Sequence, residues 1–331
     1  MLLAGAMALS MTACGGGNSA STDGSSNDGG ASASGGSYKV SVILKTLAAE
    51  YWQYVKSGAE DYASEHSDKV TVEVKGPSSE TAFDEMQNMI ETDLSSGTYD
   101  GIAISPLQSD TAAQLVSGTK LPIVAIDTNF TAPEVKSFVG TGNEAAAKKG
   151  GEAAVEAAKA AGWTDIKCIE IAGVQGDQTN TARMNGYKAG VEEAGGTFLS
   201  DEVQYADATA DRATTAMEAI MQTHPEGIAI ICANNDDMAM AAARAAQGHD
   251  AYKNTIFLGF NGDRAACEAI LDGQMTMSVA QMAYEMGYKA VETMVQVLDG
   301  ETVDEFVDSG SDVVTPDNAQ ERLDTLKTQL H

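Results

Sequence analysis

Short apolar runs alternate with amphipathic stretches along almost the whole chain. The runs are VSVIL, VTVEV, GIAIS, IVAID, IKCIEI, IAIICA, TIFLGF and MSVAQ. Between them lie segments such as YWQYVKSGAEDYASEH, FDEMQNMIETDL and NEAAAKKGGEAAVEAAKAA, whose apolar residues recur at helical spacing. Buried strands separated by helices predict parallel sheets covered by helices on both faces. At 331 residues the chain is too long for one typical core, so two such sheets are expected. The fold class read from this pattern is α/β, with two doubly wound parallel-sheet lobes. In such sheets ligands gather at the carboxyl ends of the strands.

The first 13 residues, MLLAGAMALSMTA, are apolar and small, and Cys14 follows them. An apolar stretch ending in small residues at a cysteine resembles a bacterial lipoprotein signal. It implies removal of residues 1–13 and acylation of Cys14. Residues 14–37 are mostly Gly, Ser, Ala, Asn and Asp and predict a disordered tether. The expected location is therefore extracytoplasmic, with the membrane touched only through the lipid on Cys14.

Formal net charge is −28, from 48 acids and 20 bases. Nucleic acid is excluded as a partner, because phosphate recognition needs clustered Lys and Arg. Cys168, Cys232 and Cys267 are far apart with no CxxC, and the four His residues show no ligand spacing. No metal or cofactor is expected, and Cys168 and Cys232 read as core residues. GTGNEA (Gly140 to Ala145) matches a dinucleotide fingerprint but lies some hundred residues into the fold. Such a fingerprint belongs on the first strand of its unit, so this one reads as a crossover and a helix start. No nucleophile or metalloprotease motif occurs, and no acid spacing singles out a catalytic pair.

The strand-end rule selects Lys45 and Thr46, Ser105 and Pro106, Asp127 and Thr128, Gly173 to Asn180, Asn234 to Asp237, Asn261 to Asp263, and Gln281. These are mostly neutral or acidic hydrogen-bonding groups. Amides both donate and accept, and a polyhydroxyl ligand needs that mixture. Tyr51 and Trp52 follow Lys45 closely and could stack on the C–H face of a sugar ring, although each also fits a helix-face core position.

Six stretches make the chain similar to the periplasmic sugar-binding proteins of the ribose/galactose/allose type, which feed ABC transporters. They are VILKTLAAEYW, IVAIDTN, TARMNGY, CANNDDMAMAAARA, FLGFNGDRAA and GQMTMSVAQ, in the family's order. The motifs most resemble those of D-allose-binding proteins. The resemblance implies a type 1 periplasmic binding protein, not an enzyme, with two lobes joined by a three-segment hinge. Crossovers are expected near 140–143, 281–283 and 307–311. The first lobe would then comprise 38–141 and 282–308, and the second 142–281 and 309–331. The implied ligand set is Lys45, Trp52 and Asp127 from the first lobe, Arg183, Asn235 and Asn261 from the second, and Gln281 at the crossover. Tyr51 is a weaker member, and Asp177, before the arginine-bearing helix, a further one. Asn235 also fits a helix cap. The implied partners are a monosaccharide or polyol and a transporter permease, for a monomeric binding protein.

This chain departs from the family pattern at several positions. Asn261 stands where aspartate is usual, Ala48 and Ala49 replace asparagines, and Ala210 replaces an aromatic. One carboxylate clamp is thus expected to be missing, which suits a polyol or a furanose. Other readings are a chemoreceptor partner, a binder of a furanosyl quorum-sensing signal, an extracellular glycosidase and a repressor. The repressor reading lacks a helix-turn-helix before the fold. The tail TPDNAQERLDTLKTQL predicts a helix capped by Asp317.

Overall fold

The structure, a computed structural model, describes residues 37–330. Cys14, the signal segment and nearly all of the tether lie outside the described residues. From Tyr38 the chain alternates β1 (Tyr38–Ile43), α1 (Glu50–Glu65), β2 (Val70–Lys75), α2 (Phe83–Ser96), β3 (Gly101–Ile104), α3 (Ser109–Val116), β4 (Ile123–Ile126) and β5 (Val135–Gly140). It continues through α4 (Asn143–Ala160), β6 (Lys167–Ala172), α5 (Gln178–Glu193), β7 (Thr197–Phe198), β8 (Gln204–Tyr205) and α6 (Ala210–Thr223). Next come β9 (Ile230–Ala233), α7 (Asp236–Ala246), β10 (Ile256–Asn261), α8 (Arg264–Leu271) and β11 (Met277–Gln281). The chain ends with α9 (Ala283–Leu298), β12 (Phe306–Asp308), β13 (Ser311–Val314) and α10 (Ala319–Thr328).

Two sheets result, in the strand orders β12-β5-β4-β3-β1-β2 and β13-β11-β10-β9-β6-β7, with β8 also paired to β6. Every pairing is parallel except that of β11 with β13, which is antiparallel. The chain passes from the first sheet to the second after β5, returns after β11, and passes once more between β12 and β13.

Strand alternation sets the layers. In β1, Val40 and Val42 are buried with residues of α1 and α9, while Ile43 joins Met86 and Ile90 of α2 on the opposite face. In the second sheet Cys168, Ile230 and Leu258 face α4 and α5, while Ile169, Ile171 and Ile231 pack among residues of α6 and α7. Cys168 and Cys232 are buried on adjacent strands, with sulfurs 3.4 Å apart.

Glycines let one helix pair of each sheet approach closely. A Cβ on Gly287 of α9 would lie 1.8 Å from the carbonyl oxygen of Val55 in α1. A Cβ on Gly190 of α5 would lie 2.1 Å from that of Lys148 in α4. Any side chain there would force the helices apart, which a close-packed interior resists.

The C-terminal helix corrects one sequence reading. Asn318, not Asp317, holds the N-cap position of α10. Its side chain is turned back, accepting from the Thr315 N–H at 2.8 Å and donating to the Val313 carbonyl at 3.0 Å. The turn before the helix thus claims the amide that would otherwise cap it.

Candidate functional site

The carboxyl ends of both sheets open onto one cavity of about 580 Å³. Small-molecule clefts span roughly 300–1,000 Å³. Lys45, Tyr51, Trp52, Asp127, Asp177, Arg183, Asn235, Asn261 and Gln281 all line it. A larger hollow of about 960 Å³ adjoins it, sharing Asp127, Thr128, Asp177 and Thr179.

On the first-sheet side Asp127 is the hub. It follows β4 with φ of 59°, a left-handed conformation that Asp tolerates better than most residues. Its N–H donates to the Val139 carbonyl at 2.9 Å, which fixes the turn. One carboxylate oxygen accepts from the Tyr51 hydroxyl at 2.8 Å. The other accepts from the Thr128 hydroxyl at 2.8 Å and lies 3.7 Å from the Lys45 ammonium. Burial beside this carboxylate pushes the Tyr51 phenol well above its usual range, so it stays a donor.

Trp52 serves the core and the cavity at once. It is only 3% exposed, and its ring meets Tyr51 edge-on with centroids 5.0 Å apart. Lys45 Nζ lies 5.8 Å from the indole centroid, and Trp52 Nε1 donates to Glu80 Oε1 at 2.7 Å. Sequence reasoning missed Glu80, which sits in the β2–α2 loop, a strand-end loop left out of the candidate set.

The second-sheet side is held largely by main-chain groups. Arg183 is 7% exposed. Its Nε donates to Asn143 Oδ1 and its Nη1 to the Asn234 carbonyl, both at 2.8 Å, and the guanidinium lies 3.8 Å from the Phe260 ring centroid. Burial opposes its charge, and Asp127 across the cavity supports it most among its neighbours. Asp177 caps α5 by accepting from the Asn180 N–H at 2.7 Å, and Asn180 Oδ1 accepts from the Gly173 N–H at 2.6 Å. Asn235 caps α7, accepting from the Met238 N–H at 2.9 Å, and donates to the Ala208 carbonyl at 3.2 Å.

Asn261 ends β10 with φ of 135°, a conformation rare outside glycine. Gln281 Nε2 donates to its Oδ1 at 2.8 Å. The Gln281 carbonyl in turn accepts from Arg322 Nη2 at 2.8 Å, so α10 braces the end of β11. Near Asn234 and Arg183 lies Glu170, fully buried on β6. Burial pushes its carboxyl up to about 8, against the pull of Asn234 and Arg183.

Asn261 offers no carboxylate, and Asp263, two residues on, lines the same cavity. At the rim, Arg264 Nε lies 3.5 Å from Glu50 Oε1, joining α8 to α1, and the Tyr54 hydroxyl donates to Glu50 at 2.7 Å. Ala49 and Ala208 line the cavity, where they leave room, whereas the lining does not include Ala210. No group of His, Cys, Asp and Glu among the described residues could hold a metal ion. The site therefore offers donors, acceptors and two cations around one hollow, an arrangement suited to gripping hydroxyls.

These features meet in one class: a two-sheet α/β binding protein with a polar cleft at its strand ends. The model of the periplasmic binding protein domain family matches residues 40–302, and the chain belongs to that family. Among curated proteins it is similar to the ribose import binding protein of Escherichia coli, with 28% identity over 80% of this chain and 86% of that one. The D-allose-binding periplasmic protein of the same organism is 30% identical over 77% of this chain and 82% of its own. Among solved structures, an ABC transporter solute binding protein from Mycobacterium smegmatis, with bound glycerol, gives a TM-score of 0.72 at 25% identity. That likeness covers 86% of this chain and 96% of the other.

Proposed function

We propose that this chain is an extracytoplasmic sugar-binding protein of an ABC transporter, which captures a monosaccharide or polyol between two lobes and delivers it to a permease. One observation carries the reading. In a member of this family, hydrogen-bonding side chains from both sheets converge on a single cavity of monosaccharide scale. Relatives it matches are named for binding ribose, allose and apiose, and none of those names describes catalysis.

The first lobe would hold 38–141 and 282–308, and the second 142–281 and 309–331, with the three passages between sheets acting as the hinge. Ligand favours the closed form, because only there do Asp127 and Arg183 both reach it. Neutral hydroxyls suit the pairings seen. Asp127 accepts, Arg183 keeps N–H groups beyond those its partners use, and the amides of Asn235, Asn261 and Gln281 offer both roles. Family membership places the protein outside the cytoplasmic membrane. Acylation of Cys14 would tether it there, and a single chain would suffice for the site.

A thermal-shift screen against ribose, allose, galactose, glucose, xylose, arabinose and myo-inositol tests this. A ligand at 100 times its dissociation constant adds about 2.7 kcal/mol of stability. One sugar or polyol should raise the melt, and Lys45→Ala and Arg183→Ala should abolish the rise. If every one of these compounds leaves the melt unmoved, the ligand class is wrong.

A further inference from the structure

We propose that Asp263 is a specificity-determining residue of this cavity, its carboxyl group meeting a ligand oxygen. The inference rests on the reading of the cavity as a sugar site. Asp263 holds the N-cap position of α8, where an aspartate ordinarily accepts from the first helical N–H groups. Here its side chain makes no such bond. Its main-chain N–H is tied instead to Asp236 Oδ2 at 3.0 Å, and the carboxyl lines the cavity with Asn261 Nδ2 3.4 Å away. The capping role that would account for an acid at this position is therefore unfilled.

The surroundings decide its charge. Asp236 and Asp237 face it from α7, and Glu50 faces it from α1. Tyr51 and Tyr54 of α1 also lie within its field. Arg264, next in the chain, is paired with Glu50. Arg322 of α10, which also neighbours Cys267, donates to the carbonyls of Gly262 and Gln281. Burial first, and then the charge of Asp236, push the Asp263 carboxyl up to about 8, against the Asn261 amide. Near neutral pH it is an O–H donor beside the carboxylates that share its end of the cavity. A ligand oxygen that accepts that proton, such as a ring or hydroxyl oxygen, is favoured. Affinity should then hold below pH 8 and fall as the proton leaves, by up to tenfold per pH unit.

The test is calorimetric titration of D-ribose, D-allose and myo-inositol into the purified protein from pH 6 to 9.5, with melting curves to verify folding. Whichever probe binds should weaken above pH 8. Asp263→Asn, a neutral donor of similar shape, should stay within about threefold at pH 7 and lose the alkaline decline. Asp263→Ala should weaken binding tenfold or more at pH 7. If Asp263→Asn weakens binding as much as Asp263→Ala, or keeps the full decline, the proton-donor role is overturned. Sugar binding unchanged in Asp263→Ala overturns this assignment alone. If none of the probes binds the parent, the sugar reading fails, and this inference with it.

Discussion

On the first-sheet side of the cavity three side chains converge on one carboxylate, Asp127. On the second-sheet side Arg183 is gripped by an amide oxygen and a main-chain carbonyl, and Asn235 by an N–H and a carbonyl. The first arrangement is a cluster of side chains around a half-buried acid. The second is polar chemistry fixed by the ends of α4, α5 and α7. A cluster of side chains can rearrange when one member is lost, at the cost of its ligand contacts. A buried cation held by an amide oxygen and a main-chain carbonyl has less freedom to do so, because its loss leaves both acceptors without its N–H groups. Substitutions on the first side should therefore act on binding, and those on the second on folding as well.

The largest effect expected is from Arg183→Ala. Its loss leaves the Asn143 Oδ1 and Asn234 carbonyl without its N–H groups, which should cost about 1–3 kcal/mol of stability for each acceptor, besides abolishing sugar binding. Chemical denaturation without ligand checks this, and an unchanged midpoint would break the comparison. Glu170→Gln should act in the opposite direction. The native carboxyl, pushed up to about 8, holds a proton that the unfolded chain releases above its ordinary range near 4.5. The native state thus loses stability relative to the unfolded chain as pH rises from 4.5 to 8, and the loss is level above that. Glu170→Gln removes this term and should gain about 2–4 kcal/mol at pH 8 and little at pH 4. Paired melts across that range measure it.

On the first side, Asp127→Asn should weaken sugar binding tenfold or more and lower apo stability by less than about 1 kcal/mol, since the amide can still accept from Tyr51. The smallest effect belongs to the rim. Glu50→Gln removes a half-exposed ion pair to Arg264, and such pairs are worth about 0–1 kcal/mol. A two- to fivefold weaker affinity at low salt, vanishing in high salt, would mark this pair as a closing contact between the lobes.

The central strands were legible because each is an apolar run between turn residues, long enough to bury both faces. The two-residue β7 and β8 and the short β12 and β13 carry no such signal, and pairing geometry alone makes them strands. The antiparallel edge made by β13 with β11 was equally hidden. In the site, the strand-end rule finds Lys45, Asp127, Asn261 and Gln281, because topology alone puts strand ends at the cleft. Glu80 also follows a strand end, but five residues beyond β2, and its role, a bond to Trp52, has no sequence signal. Asn143 was read as a helix start and crossover, yet it also orients Arg183. Asp263 lies in a strand-end loop, but its place before a helix reads as a cap until the geometry shows the cap unmade. Trp52 was legible only in part, since one residue serves both core and cavity.

The central claim is that both sides of the cavity grip one ligand. Titration of the sugar that shifts the melt into the parent, Asp127→Asn, a milder second-side change such as Asn235→Ala, and the double variant tests it most directly. Each single change should weaken binding, and the double change should fall short of the product of the two, as for residues that share one ligand. Full affinity in either single variant, with its fold intact, would contradict a site shared between the two sheets.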